Sequence, residues 1–275
     1  MLEFFTEMRH SPFLVNALVA AVLAAVAGGV TGSLVVVRRS TYLAGAVSHC
    51  VLAGLALARL LERRFGVAWL TPTGGALLAA VGAALLMARL TARGGQRTDT
   101  ALSAVWTGGT ALGVSFIAMT PGYQDDLMSY LSGSIVLVTR EDLIWMAVLN
   151  AVTLVTVCVC YNRFLAIAFN EELARLRGVN TARYEVIYQV LTALTVVLLV
   201  QAVGIILAIA LLTLPAATAG MLTRRLDRMM LVAAGIGTAV SVLGLAIHYS
   251  PGLPPGATIV ELALAAYVVV AVVRR

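Results

Sequence analysis

Apolar runs of helix length, separated by short polar or arginine-bearing breaks, set the pattern of this 275-residue chain. A helix needs about 20 apolar residues to cross a bilayer, and successive runs meet that length. The first predicted helix covers about Pro12 to Val37 and is stopped by Arg38-Arg39. The second runs from Ser40 to about Leu61, before a short Glu62-Arg63-Arg64 loop. The third covers about Val67 to Leu90, with Pro72 and Gly74-Gly75 inside it, and the fourth about Thr100 to Thr120. Leu127 to Thr139 is apolar but only thirteen residues long. That length predicts a re-entrant or interfacial helix, with Asp126 as its N-cap. A fifth spanning helix covers about Leu143 to Tyr161, and the longest polar stretch, Asn162 to Arg183, follows it. The thirty-nine residues from Tyr184 to Leu222 carry no charge except Glu185. They are too long for one crossing and divide into helices six and seven, with the turn at Gln201 to Gly204. Helix eight covers about Met229 to His248, and helix nine follows the 250–256 loop and ends at Arg274-Arg275. The pattern therefore predicts an all-α integral membrane protein. It is a polytopic bundle of eight or nine spanning helices plus one short re-entrant or interfacial helix, in a single transmembrane domain over residues 1–275.

Composition supports this reading. Hydrophobic residues make up 61% of the chain and charged residues 12%, with a mean hydropathy of +0.97. A soluble domain would have about a quarter of its residues charged. All nineteen basic residues are arginine. Without lysine a GxxxxGK[ST] phosphate loop is impossible, so ATP, if it drives this protein, binds to another subunit. Arginines 38, 39, 89, 93, 97, 163, 175, 177, 183, 224, 225, 228, 274 and 275 fall on one side of the predicted layout, fourteen against the five at 9, 59, 63, 64 and 140. The positive-inside rule then places the 162–183 loop and the C-terminus in the cytoplasm and the N-terminus outside. The net charge of +6 reports this topology, not an affinity for nucleic acid. The first eleven residues lack the basic n-region and cleavage site of a signal peptide, so the first helix is expected to stay. Cys50, Cys158 and Cys160 sit in apolar helices and read as packing residues, with no disulfide framework.

Few groups with chemistry reach membrane depth. His49 is the one histidine deep inside an apolar run, and Gly45, Ser48, Leu52 and Ala53 share its helix face. So small and faintly polar a face packs against protein or lines a pathway. Ionisable groups at that depth are costly and mark substrate or proton routes; a histidine hydrogen-bonded only for packing is the other reading. Glu261, in the outer part of helix nine, is either a metal or proton ligand or a packing group, and His248 lies at the outer end of helix eight. Pro215 interrupts helix seven, where it frees a carbonyl that Thr213 and Thr218 are placed to help. Asn170 is placed to cap a helix with Glu171-Glu172 in its first turn, Ala174 inside it, Arg175 and Arg177 in its last turn and Gly178 as terminator. Phe164, Leu165, Ile167 and Phe169 precede it as membrane-face anchors. Such an element is either a coupling helix for an ATPase or an ordinary amphipathic surface helix. The chain lacks HExxH, GxSxG and paired intramembrane aspartates, which leaves membrane protease and esterase readings with little support.

Several blocks together resemble the permease subunits of ABC importers for zinc, manganese and iron(II). The family's second-helix signature is roughly Gly-Asp-Ala-Leu-Ser-His-Ala-x-Leu-Pro-Gly; here it reads Ala44-Gly45-Ala46-Val47-Ser48-His49-Cys50-Val51-Leu52-Ala53-Gly54. The segment from Asp126 to Ser134, the Asn170 to Gly178 loop, Leu211 to Ala219 and Leu253 to Val260 match in order and spacing. The resemblance covers nearly the whole chain. It implies a bacterial-type plasma membrane permease that pairs with a second permease copy, cytoplasmic ATP-binding subunits and an extracytoplasmic metal-binding protein, with 162–183 as the coupling element. The family's ligands in this helix are an aspartate and a histidine one turn apart; His49 is kept, but Gly45 stands where the aspartate would be. That leaves imidazole, Ser48 and Cys50. Imidazole and thiolate suit zinc, whereas carboxylate suits manganese, so zinc is the favoured cargo. One histidine does not complete a four-ligand shell. Two His49 side chains around a twofold, or water and carbonyls, would share a passing ion, and weak ligation suits a conduit. A metal-chelate permease of the same class and a gradient-driven secondary transporter are the rival readings.

Overall fold

The structure is a computed structural model that describes residues 12–67, 69–91, 98–120, 138–248 and 255–274. All its regular elements are helices: α1 (Pro12–Val37), α2 (Thr41–Phe65), α3 (Pro72–Thr91), α4 (Thr98–Ala118), α5 (Arg140–Phe169), α6 (Glu171–Leu176), α7 (Thr181–Val203), α8 (Ile205–Leu222), α9 (Leu226–His248) and α10 (Pro255–Val273). Among the described residues nine of these, every one but α6, are long and apolar enough to cross a membrane. The short helix expected at 127–139, with Asp126 as its cap, lies outside the described residues except for Val138 and Thr139. Thr139 caps α5: its hydroxyl accepts from the Asp142 N–H at 3.2 Å and its own N–H donates to the Asp142 carboxylate at 3.0 Å.

Three boundaries differ from the sequence reading, each for a local reason. Glu62-Arg63-Arg64 is the last turn of α2, not a loop, because cationic side chains complement the carbonyl end of a helix. Gly66 stops the helix at φ 66°, and its N–H bonds to the Glu62 carbonyl. Helix α3 begins at Pro72, not Val67, since proline is favoured at a first helical position, where its missing N–H is not needed. Helix α5 continues through Phe169, so the first part of the 162–183 stretch is helical. The expected break between helices six and seven is a single residue, Gly204, at φ 80° and ψ 170°, a conformation left to glycine.

Helices α1, α2, α7 and α8 form the inner layer. In α2, 78% of the spanning window is buried, against 22% in each of α4, α5 and α10. Helix α1 packs on α5, α7, α8 and α9, and α2 packs on α3, α4, α7 and α8. Small residues allow this closeness. A Cβ added at Gly28 would stand 3.1 Å from the Leu211 carbonyl oxygen, and one at Gly32 would collide with the Leu212 carbonyl. Pro215 lies buried in α8 and leaves the Leu211 carbonyl without its helical donor. The nearby threonines do not serve that carbonyl, contrary to expectation. Thr213 donates to Ile209 and Thr218 to Leu214, each at 2.8 Å, while the freed oxygen faces the Gly28 backbone of α1. Thr31 and Thr195, 2.9 Å apart, join α1 to α7. The Asn150 amide donates to the Leu23 carbonyl at 2.9 Å and joins α5 to α1.

Candidate translocation site and coupling element

His49 lies within the most buried spanning helix, on the seam between α2 and α4. Every third or fourth residue of α4 meets that seam. The Trp106 indole stacks on the His49 ring with centroids 5.1 Å apart and planes at 26°. Gly109 presses on Cys50, where an added Cβ would be 2.8 Å from the thiol sulfur. Gly113 meets Leu52 and Ala53 at 3.3 Å in the same sense. The small face read from sequence thus packs against protein.

The indole also covers Gly45. A Cβ there would stand 2.5 Å from Trp106 Cζ3 and 2.7 Å from Cη2, so any larger residue at position 45 displaces the ring. The His49 imidazole is half-buried, and its Nδ1 is buried without a hydrogen-bond partner. A buried polar atom of this kind normally has one. Ser48 is fully buried and spends its hydroxyl on the Ala44 carbonyl at 2.8 Å. The Cys50 thiol reaches the Val105 carbonyl at 3.7 Å. Glu261 is exposed on α10, which packs on α8 and α9, so Glu261 and His49 belong to different seams. Among the described residues no three histidines, cysteines or carboxylates converge as a closed metal site. Trp106 is the residue that sequence reasoning missed. Its signal was an aromatic one turn from a glycine pair in an otherwise small-residue helix.

At the start of α2 the polar groups are densely partnered. Arg38 forms an ion pair with Glu185, and its guanidinium lies 4.4 Å from the centre of the Tyr188 ring. Ser40 and the buried Tyr188 hydroxyl share a hydrogen bond of 2.5 Å. Gln189 donates to Glu185 at 2.8 Å and lies 3.4 Å from the Thr91 hydroxyl. Between them Arg39 adopts a left-handed φ of 54°, unusual for a residue with a side chain. The knot ties the α1–α2 turn to the end of α3 and the start of α7. It also borders a cavity lined by Arg89, Glu171 and Arg175.

That cavity reaches α6, whose local design agrees with the sequence. Asn170 Oδ1 accepts from the Leu173 N–H at 3.0 Å, Glu171 pairs with Arg175 at 3.1 Å, and Gly178 ends the element at φ 79°. Ala174 is buried against the bundle. Of the residues expected as membrane-face anchors, Phe164 and Ile167 are buried against the bundle and Phe169 is not. It is 86% exposed, and Leu176 at the end of α6 is 85% exposed. The element therefore presents two apolar side chains among exposed charged residues.

Comparison with known proteins adds a family context. The model of a family described as "ABC 3 transport family" matches residues 10–274. A Synechocystis membrane protein, slr2045, is 36% identical over 278 residues, 100% of this chain and 95% of that protein. The manganese import system permease protein ScaB of Streptococcus parasanguinis is 32% identical over 259 residues, 94% of this chain and 89% of that protein. Among solved structures, PsaBC from Streptococcus pneumoniae in complex with Fab superposes with a TM-score of 0.85 at 29% identity. The match covers 98% of this chain and 94% of that one.

Proposed function

The chain belongs to the ABC 3 transport family, and on that premise we propose that it is the permease subunit of an ATP-driven importer of divalent metal ions. One observation carries the reading furthest: a half-buried imidazole with an unpaired buried nitrogen, inside the most buried spanning helix. A packing histidine would be expected to use both ring nitrogens, whereas a free lone pair at membrane depth is suited to a passing cation. In this reading His49 is the principal ligand. Ser48 and Cys50 become available only if α2 and α4 shift, and Glu261 serves an outer or partner-facing part of the route. Pro215 marks where α8 bends.

The coupling helix is α6. Asn170, Glu171, Glu172, Ala174 and Gly178 build it, and the exposed Phe169 and Leu176 are its contacts for a cytoplasmic ATP-binding subunit. Arginine asymmetry supports placing this end and the C-terminus in the cytoplasm, with the N-terminus and the docking face for an extracytoplasmic metal-binding protein outside. A second permease copy meets the exposed small-residue face of α4, where Ser103, Thr107, Gly108 and Ala111 lie open. Small and hydroxyl residues favour helix contacts inside a bilayer. The full chain acts as one transmembrane domain.

The cargo we favour is zinc, because imidazole without a carboxylate suits it better than manganese. Manganese is the second reading, favoured by the name of the ScaB relative. Reconstituted with an ATPase subunit and a metal-binding protein, the chain is expected to give ATP-dependent accumulation of radiolabelled zinc. Manganese accumulation instead would keep the importer and reverse the choice of metal. Uptake of neither would favour a chelate permease or a gradient-driven transporter.

A further inference from the structure

We infer that Trp106 is the gate between His49 and the arginine-rich end of the protein. The indole has two neighbours of different kinds. On one side it is stacked on His49. On the other it lines a cavity of about 240 Å³ with Tyr42, Leu102 and Ser103. Tyr42 precedes His49 by two turns on α2, just after Arg38-Arg39, and Leu102 precedes Trp106 by one turn on α4. Both helices start at the arginine-rich end, so the cavity lies on that side of the imidazole and Trp106 stands between them. The cavity is far larger than one water requires, and Tyr42 at its rim is exposed.

The ring holds this place because residue 45 is glycine. It lies in the notch that a Cβ would fill, at 2.5 Å from Cζ3. Turning the indole out of the notch joins His49 to the cavity; seating it separates them. A stack of this type shifts an open-to-closed ratio by only about threefold to tenfold, a bias that helix movement overrides. Gating by Trp106 therefore needs no charge and no break in the backbone. It makes residue 106 a determinant of when His49 is reached from the arginine-rich side.

The inference rests on the reading of His49 as part of the route, but its test needs no metal. In a background with Cys50, Cys158 and Cys160 replaced by serine, His49→Cys is introduced into the full chain. The permease is assembled with its ATPase subunit in membrane vesicles and treated with a charged thiol reagent. Adding Trp106→Ala is expected to raise the labelling rate by about tenfold, and Trp106→Phe to give a rate between those of tryptophan and alanine, because a phenyl ring keeps an aromatic face but lacks the Cζ3 and Cη2 atoms that fill the Gly45 notch. Should the alanine variant fail to assemble, Trp106→Leu keeps the apolar bulk and is expected to label faster than the phenylalanine variant. Equal rates for Trp, Phe and Ala or Leu would overturn the gate. Metal uptake by the wild-type chain, measured separately, reports on the importer reading alone.

Discussion

The start of α2 and its interior at His49 are built differently. Around Arg38, each polar side chain has at least one partner: Glu185 and Tyr188 for Arg38, Ser40 for Tyr188, Glu185 for Gln189. Only Arg38 Nη1 and Gln189 Oε1 remain without one. Around His49 the unpartnered atom is a ring nitrogen able to act as a ligand. Ser48 and Cys50 are occupied by nearby carbonyls, and the imidazole touches an indole while its Nδ1 has no partner. A partnered network fixes the helix ends it joins. A half-partnered ring leaves a nitrogen free, which on the proposed function is where a passing ion binds and leaves.

Removing Glu185 should have the largest effect on stability. Glu185→Ala strands a largely buried Arg38, which costs about 2–3 kcal/mol, below the figure for fully buried pairs because both groups keep some solvent. Thermal unfolding in detergent should show it as a fall of several degrees. Next is Gly45→Asp, which must displace the Trp106 ring. Overpacking of this kind costs about 1–3 kcal/mol, and pairing it with Trp106→Ala should recover part of the loss on the same melting curves. Tyr188→Phe removes one hydrogen bond from the knot and should cost about 1 kcal/mol. It should weaken ATP-driven transport more than it weakens folding if the knot transmits movement. Smallest is Ser48→Ala. Its hydroxyl serves only the helix backbone, so stability should change by about 0.5 kcal/mol or less, and uptake should stay at the wild-type level. A large uptake loss there would move Ser48 into the ion route and blur the contrast.

Much of this fold is legible in hydropathy because a bilayer demands long apolar helices whose backbones satisfy themselves. Helix α1 falls at its expected bounds, Pro12 and Val37, and ends where Arg39 takes a left-handed φ of 54°. Boundaries set by helix-terminal chemistry are harder. Glu62-Arg63-Arg64 looks like a loop by charge but is a favourable last turn, and Asn162-Arg163 interrupts an apolar pattern without interrupting α5. At the site, His49 stood out as an ionisable group in an apolar run. Trp106 did not, since its role depends on a close pairing of α2 with α4 that a helical period alone does not specify. The same holds for Arg38 and Glu185, 147 residues apart in sequence, which read singly as a topology marker and a stray charge.

His49 is expected to act in transport and not in holding the fold. Wild type and His49→Ala, each assembled with its ATPase subunit and metal-binding protein, should be compared for radiolabelled zinc and manganese uptake at equal amounts of intact complex. The expected result is loss of uptake with melting temperature and assembly close to wild type. Normal uptake by the alanine variant, or a loss matched by failure to assemble, would contradict it.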